Sequence, residues 1–440
     1  PGFLGAGCGR LPAPLSIPAP VLDIKLIRSQ PELVAQAARK KRIAFDLDRT
    51  LALDAALRER GARIDELRAR QKDGGKELAG ASPEQRERLL EAGRLLKQEL
   101  KELEERQNEE RQALEALLLR APNPPSEEVP EGLSDADNVE LRRHGEPRSF
   151  GFDPLDHVAL AEAQGWLDTE AGGRISGSRN YFLLGDLSLL EGAVMRFALD
   201  HMVQKGFVPV SVPTLVRPAT MQGTGYFPGG EEQAYRTDAR DDLCRLGTAL
   251  RAGQILKLSE LPLRYVALSS CYRREAGTYG KDTRGLYRVH QFLKVEQVVI
   301  DVADAEQSRR HHHEILANAE EVCRALGLCY RVVNVCGGDL GQAQVQKFDI
   351  ETWMPSRGGF GETHSASRFH DFQARRLDLR YRDAEGKVQF CHTLNNTVAA
   401  STRMLIAILE NHQTAAGQVE VPQVLRPYLH GRALLGRPLR

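Results

Sequence analysis

The sequence predicts an α+β protein, a largely antiparallel sheet flanked by helices and preceded by a long antiparallel coiled-coil hairpin. Three observations lead there. From about Arg49 to Arg120 the chain is rich in Leu, Ala, Glu, Arg and Lys, poor in aromatics, and apolar residues recur every seven. Beyond about residue 126 short strand-like runs mix with helical ones. Those runs are not spaced as repeating βαβ units, which argues against a parallel sheet.

Residues 1–20, PGFLGAGCGRLPAPLSIPAP, carry one charge, Arg10, and prolines interrupt every apolar run. Without a basic leader or an intact apolar stretch they do not read as a signal peptide. They are expected to be a disordered extension, with the true start near Val21. The first domain is expected over 21–125. Within it Leu57 and Ile64 are one heptad apart, and Leu53 and Leu67 two. After a break, Leu89, Leu96 and Leu103 repeat every seven, with Leu100 and Leu114 on the second seam. The break is Gly80-Ala81-Ser82-Pro83, in which Ser82 suits an N-cap, Pro83 the first helical position and Gln85 a capping box. Asn123-Pro124-Pro125 closes the hairpin. A long charged hairpin can be a plain spacer or oligomerisation device. The cluster Arg68, Arg70, Lys72 and Lys76 toward its tip would also suit phosphates.

A second domain is expected over 126–440. Its strand candidates are 207–212, 265–269, 293–301, 330–335, 347–353 and 377–382, and its helices 189–204, 305–326 and 403–411. The 60 Lys+Arg of the 440-residue chain balance 60 Asp+Glu, so nucleic-acid binding has to come from a local patch and not from a global field. No apolar run approaches membrane-span length, which points to a soluble protein with no membrane partner. Seven scattered cysteines form no CxxC pair, so reduced thiols are expected rather than a disulfide framework or zinc site. His311-His312-His313 cannot converge on one ion from adjacent helical positions and reads as a solvated face. The glycines of 223–230 match no nucleotide loop and read as a plain loop.

The stretch 271–297, CYRREAGTYGKDTRGLYRVHQFLKVEQ, carries the most chemistry. Arg273, Arg274, Lys281, Arg284 and Arg288 lie between strand-like ends, with Glu275 and Glu296 at the flanks. A single Arg–Glu pair would be a salt bridge, but this density of fixed charge suits a polyphosphate. Alternation would place Arg273 and Glu275 on one strand face and Arg274 on the other.

The stretch resembles motif 2 of class II aminoacyl-tRNA synthetases, most closely of the seryl-tRNA synthetases. A helix followed by Gly206-Phe207-Val208-Pro209-Val210-Ser211-Val212-Pro213 is similar to motif 1. The segment Gly361-Glu362-Thr363-His364-Ser365-Ala366-Ser367 resembles the family's ATP and Mg²⁺ segment, and Thr393–Asn411 resembles motif 3. HSASRFHDFQARRLDLRYRDAEGKV and TLNNT are of the type seen in Thermus- and Deinococcus-like enzymes. The resemblance runs from about Val21 to about Leu429, hairpin included.

That resemblance implies a serine–tRNA ligase, with an ATP-dependent activation of L-serine to seryl-adenylate and transfer to serine tRNA, selenocysteine tRNA being a further candidate acceptor. It implies Arg273, Glu275 and Arg403 as catalytic residues. The ATP site would comprise Arg273, Arg274, Glu275, Val289, Phe292, Glu362, Thr363, His364, Ser365 and Arg403, with Phe292 under the adenine. Serine would be held by Thr248, Ala249, Arg273, Glu296, Asn395 and Thr397, and Mg²⁺ by Glu362 and Ser365, hard oxygen donors of the kind it prefers. The hairpin would grip serine tRNA, motif 1 would form a homodimer, and the location would be cytoplasmic. At one place the pattern departs from the family. Where Thr-x-Glu is usual, the chain reads Leu246-Gly247-Thr248-Ala249-Leu250-Arg251, without the Glu. An error in this copy, compensation by Glu296 or Glu275, and a catalytically altered or regulatory paralogue all remain open at this level.

Overall fold

The structure, a computed structural model, describes residues 22–236, 241–242, 248–277 and 285–439. The extension expected over 1–20 lies outside them. The chain divides into two compact units at the 124/125 boundary.

In the first unit two short helices, Ile24–Ser29 and Pro31–Lys40, lead into two long ones, α1 (Leu47–Gly80) and α2 (Pro83–Leu118). The Ser82 side chain caps the Gln85 amide while Gln85 caps that of Ser82, so the capping box starts α2 where the sequence placed it. Ile64, Leu67 and Leu100 form the buried seam with Leu96 and Leu103. Leu114 and Leu118 close its base against Leu22, Ile27 and Val34. Pairs between the helices run antiparallel: Arg60 to Glu110 at 2.7 Å and Arg68 to Glu104 at 2.7 Å. In the basic cluster, Arg68 thus already has a carboxylate partner, and Lys76 lies 2.9 Å from Asp73. The Arg68 and Lys76 pairs are exposed and worth at most about 1 kcal/mol each, so a phosphate can displace them at little cost.

The second unit is built on eight strands: β1 (Val139–His144), β2 (Val208–Pro209), β3 (Leu263–Tyr272), β4 (Gln291–Asp301), β5 (Tyr330–Asn334), β6 (Gln346–Met354), β7 (Gly359–His370) and β8 (His392–Ala400). Their order is β1-β5-β6-β7-β8-β4-β3-β2. All neighbours are antiparallel except the edge pair β2–β3. The strand expected over 207–212 shrinks to Val208–Pro209, since Pro209 has no amide to donate. The run 377–382 is strand only over Arg380–Arg382. It follows a short helix, Phe372–Arg376, and a left-handed Asp378 with φ +50°.

Helices α3 (Gly185–Gln204), α4 (Ala305–Ala325) and α5 (Ser401–His412) cover the sheet. Leu190 and Val194 of α3 pack with Leu405 and Ile408 of α5 and with Val295, Val299 and Val398 of the sheet. Leu316 and Ala319 of α4 pack on Val332, Phe348 and Ile350. Odd-numbered residues of β4 thus enter the core, and alternation sends Phe292, Lys294 and Glu296 to the opposite face. No helix among the described residues is long and apolar enough to cross a membrane. Cys271, Cys323, Cys329, Cys336 and Cys391 are free and buried.

The three histidines of α4 depart from the expected solvated face. His312 is fully buried, stacked on Phe348 at 4.6 Å, with Nε2 bonded to the Ala366 carbonyl. His311 is buried between Asp301 at 2.8 Å and Glu314 at 3.0 Å, and only His313 is exposed. An amphipathic helix facing a sheet buries two of any three consecutive positions when the stripe is wide. Hydrogen bonds to Asp301 and Glu314 raise the His311 pKa from 6.5 to about 9. A raised folded-state value stabilises the fold fully below pH 6.5, and that contribution is lost as pH rises through 9. The expected loss is about 3 kcal/mol. Urea unfolding should therefore show lower stability at pH 9.5 than at pH 6.5. His311→Gln should be the less stable protein at pH 6.5 and lose much less on going to pH 9.5; an unchanged difference between the two pH values would refute the linkage.

Candidate active site

On the even-numbered face of β4 lies a cleft lined by residues from three separate segments. From the turn after β3 come Arg273 and Glu275, from the approach to β4 Tyr287 and Val289, and from β4 itself Phe292 and Lys294. Strand β7 supplies Glu362 to Ser365, and the β8–α5 junction supplies Thr397, Ala400, Thr402 and Arg403.

Arg273 and Glu275 do not sit on a strand. β3 ends at Tyr272, and Glu275 adopts a left-handed φ of +49°. The turn is fixed instead by partners. The Arg273 amide donates to the His290 carbonyl at 2.9 Å, and His290 Nδ1 donates back to the Arg273 carbonyl at 2.8 Å. The Gln233 side chain brackets Ala276, accepting from its amide and donating to its carbonyl. Arg288 lies 3.4 Å from the Glu275 carboxylate. The Arg273 guanidinium stands 5.9 Å from the Phe292 ring centre. Arg274 is exposed and outside the lining. Lys281 and Arg284 lie outside the described residues.

The far end of the same segment is held by a buried relay. Glu410 of α5 accepts from His157 Nδ1 at 2.8 Å, and His157 Nε2 accepts from the Leu286 amide at 3.2 Å. Gly285 precedes Leu286 with φ +81°, and a Cβ there would fall 2.3 Å from His157 Nε2, so only glycine fits.

Strict alternation would put Glu362 and Ser365, three apart, on opposite faces of β7. A bulge prevents this. His364 pairs with Ile350 and Glu362 with Glu351, leaving Thr363 as the extra residue. The Thr363 hydroxyl instead bonds Thr352 at 2.7 Å and His364 Nδ1 at 2.8 Å, while His364 Nε2 donates to the Val398 carbonyl. Burial pushes the His364 pKa down to about 4, so the ring is neutral. Thr363 and His364 therefore bound the cleft with side chains committed to the sheet.

Arg403 opens the third position of α5. Its Nη1 donates to the Glu362 carbonyl at 2.7 Å and lies 3.3 Å from that residue's carboxylate. Its guanidinium stacks 4.7 Å above Tyr287, whose ring also carries Arg357 at 4.3 Å. Burial raises the Glu362 pKa, but the Arg403, Lys347 and Arg273 cations outweigh it and hold the carboxyl below its usual range. An ionised carboxylate and the Ser365 hydroxyl on one face make a hard-oxygen pair of the kind a Mg²⁺ ion takes alongside phosphate oxygens.

At the floor, Glu296 is not itself part of the lining but stands behind Lys294 and Thr397, which are: Lys294 Nζ is 2.8 Å from Glu296 Oε2, with side chains only 7% and 10% exposed. Thr397 donates to the same oxygen at 3.2 Å. Asn395 lies two residues further along β8 on the Thr397 face, beyond the lining. Ala249, in the short helix Thr248–Arg251, packs with the apolar cluster around Leu256, Tyr265 and Val298 and not in the cleft. The Thr248 side chain and residues 243–247, where the family pattern is interrupted, lie outside the described residues. Sequence reasoning missed Tyr287 and Lys294. Both stand in the quoted run, but an aromatic between arginines and a lysine two before a glutamate look like ordinary strand residues until the face is known.

Chemically, the cleft offers an aromatic platform, two guanidinium groups, a hard-oxygen pair and a buried carboxylate, a set suited to holding a nucleoside triphosphate beside an amino acid. Residues 21–125 match the family described as the seryl-tRNA synthetase N-terminal domain. Residues 242–412 match the class II tRNA synthetase core domain (G, H, P, S and T). The chain is 48% identical over 426 residues to a serine–tRNA ligase of Deinococcus radiodurans, covering 96% of this chain and 100% of that relative. It is 42% identical over 426 residues to serine–tRNA ligase 1 of Streptomyces avermitilis, covering 94% and 99%. Among solved structures it is similar to the seryl-tRNA synthetase of Pyrococcus horikoshii complexed with ATP, with a TM-score of 0.88 at 37% identity, covering 95% and 100% of the two chains.

Glu362→Gln should keep the Arg403 bond to the Glu362 carbonyl while removing the charge. The stabilisation of the protein by ATP in a melting experiment should lose most of its dependence on Mg²⁺, and activity should drop about 10- to 100-fold. An undiminished Mg²⁺ dependence would show that the ion is held elsewhere.

Proposed function

The chain belongs to the seryl-tRNA synthetases, and from that premise we propose how its residues divide the work. The activity is that of a serine–tRNA ligase: ATP-dependent formation of seryl-adenylate with release of pyrophosphate, then transfer of the seryl group to tRNA. The observation that carries the reading is the convergence of Arg273, Phe292, Glu362 and Arg403, from three separate segments of the sequence, on one cleft.

ATP stacks its adenine on Phe292, with Val289 supplying the adjoining backbone contact and Glu275 helping to position the nucleotide. Arg273 meets the α-phosphate, where its permanent charge stabilises the negative charge that builds up as the serine carboxylate attacks. Arg403 meets the γ-phosphate. Its stack on Tyr287 and its bond to Glu362 hold it in place before the substrate arrives, so little reorganisation is left for the reaction itself. Glu362 and Ser365 would hold Mg²⁺, which neutralises phosphate charge when bound. Thr363 and His364 shape that edge through the backbone. Arg274, exposed, would reach only a nucleotide that projects from the cleft.

Serine binds at the floor, where Glu296 and Thr397 offer buried polar partners for its ammonium and hydroxyl, with Asn395 and Thr248-Ala249 as outer neighbours. Alanine would leave those partners unsatisfied, a penalty that binding discriminates well. This placement also makes Glu296 the carboxylate that compensates for the Glu missing after Thr248-Ala249. No observation favours a catalytically altered paralogue.

The α1–α2 hairpin of the 21–125 domain would bind serine tRNA by backbone shape and displaceable surface ion pairs. A homodimer would form through the motif 1 segment, whose β2 is the sheet edge and exposes Val208. A cytoplasmic location follows from the role in protein synthesis.

Active-site titration with ATP, Mg²⁺ and L-serine should release close to one pyrophosphate per chain, and L-alanine should release none above background. Absence of the serine burst would overturn the reading. Deleting residues 49–120 should leave that burst intact while tRNA charging falls by at least about 100-fold; undiminished charging would remove the hairpin from recognition.

A further inference from the structure

We propose that Lys294 is a substrate-contacting residue that holds the serine carboxylate, so that the buried Lys294–Glu296 pair is a template for a zwitterionic amino acid. The proposal rests on the ligase reading and adds to it a residue and a recognition principle. Three observations carry it. The first is position: alternation on β4 lines up Phe292, Lys294 and Glu296 on the cleft face. With the adenine at one end and the ammonium-binding carboxylate at the other, the residue between them lies beneath the point where the serine carboxylate meets the α-phosphate.

The second is space. The residues directly across from Lys294 on the neighbouring strands are Ser269 and Ala400, and across from Glu296 stands Ala267. Small residues on both flanks leave the lysine stem uncrowded, and Lys294 and Ala400 both line the cleft. The third is charge. A lysine and a glutamate 2.8 Å apart and almost fully withdrawn from water form a costly arrangement that a pair of apolar residues would replace without loss of stability. Its use becomes clear when a ligand carrying one charge of each sign enters. The ammonium takes the place of Nζ beside Glu296, Nζ turns to the carboxylate, and neither protein charge is left unpaired at any stage. Thr397, already donating to Glu296, keeps that carboxylate in place during the exchange.

The test compares L-serine with L-serinamide, which keeps the ammonium and hydroxyl and lacks the carboxylate, each titrated in the presence of a non-hydrolysable ATP analogue. In the unmodified protein serine should bind tighter than serinamide. Lys294→Met should weaken serine about 10- to 100-fold, the range of one charge-assisted hydrogen bond. Serinamide should change less than about threefold, and stabilisation by the ATP analogue should persist. Lys294→Arg should restore part of the preference. Equal losses for both ligands would mean that Lys294 only orders Glu296, and no loss would mean that it does not touch serine; either overturns the assignment. Should Lys294→Met fail to fold because Glu296 is left buried without its cation, the double variant K294M/E296Q removes both charges. In it the serine-to-serinamide preference should vanish, and a retained preference would refute the proposal. If the unmodified protein gave no serine-dependent pyrophosphate exchange, the ligase reading itself would fall. Normal exchange with an unchanged preference would remove the Lys294 assignment alone.

Discussion

The site depends on a single constraint, the two-residue period of the central strand β4. Because β3 and β8 both pair with it, β4 cannot slip or rotate without breaking two ladders. Its odd positions are committed to the core through Val295 and Val299. Its even positions must then carry the chemistry, and they do so in a fixed sequence from ring to cation to carboxylate. Two bulges correct the register where the period alone would fail. One, at Thr363, turns Glu362 and Ser365 to the same side. The other lies across from Val295 and Glu296, where β8 gains a residue and Thr397 comes opposite Glu296.

The cleft keeps its charges occupied in the free protein. Arg403 rests on Glu362, Lys294 on Glu296, and Arg288 near Glu275. At Arg403 and at Glu296 an incoming phosphate or ammonium therefore exchanges one partner for another. This lowers the cost of assembling cations in a confined space, which like-charge repulsion and desolvation would otherwise make prohibitive. It also keeps the guanidinium groups oriented by stacking, on Tyr287 in one case and near Phe292 in the other.

Much of this was legible in the sequence for definite reasons. Heptads and a capping box are local signals, so the hairpin and its turn at Ser82 came out at nearly the right residues. The density of fixed charge singled out the 271–297 run, and the resemblance of motifs 2 and 3 singled out Arg273, Phe292, Glu296 and Arg403, of which Arg273, Phe292 and Arg403 line the cleft. What was missed depends on geometry that residue types do not encode. No local signal marks Thr363 as a bulge, or Glu275 as left-handed, since a glutamate there is not a residue that prefers positive φ. The burial of His311 and His312 follows from the width of the α4 contact with the sheet. The importance of Lys294 appears only once its face is known.

The segment between Ala276 and Leu286 is clamped at each end by groups outside it, the Gln233 side chain on one side and the Glu410–His157 relay on the other. Neither Gln233 nor His157 lines the cleft. A substitution at either would therefore reach the nucleotide site from a distance, by releasing the backbone that carries Arg273 or Tyr287 while every lining residue stays the same.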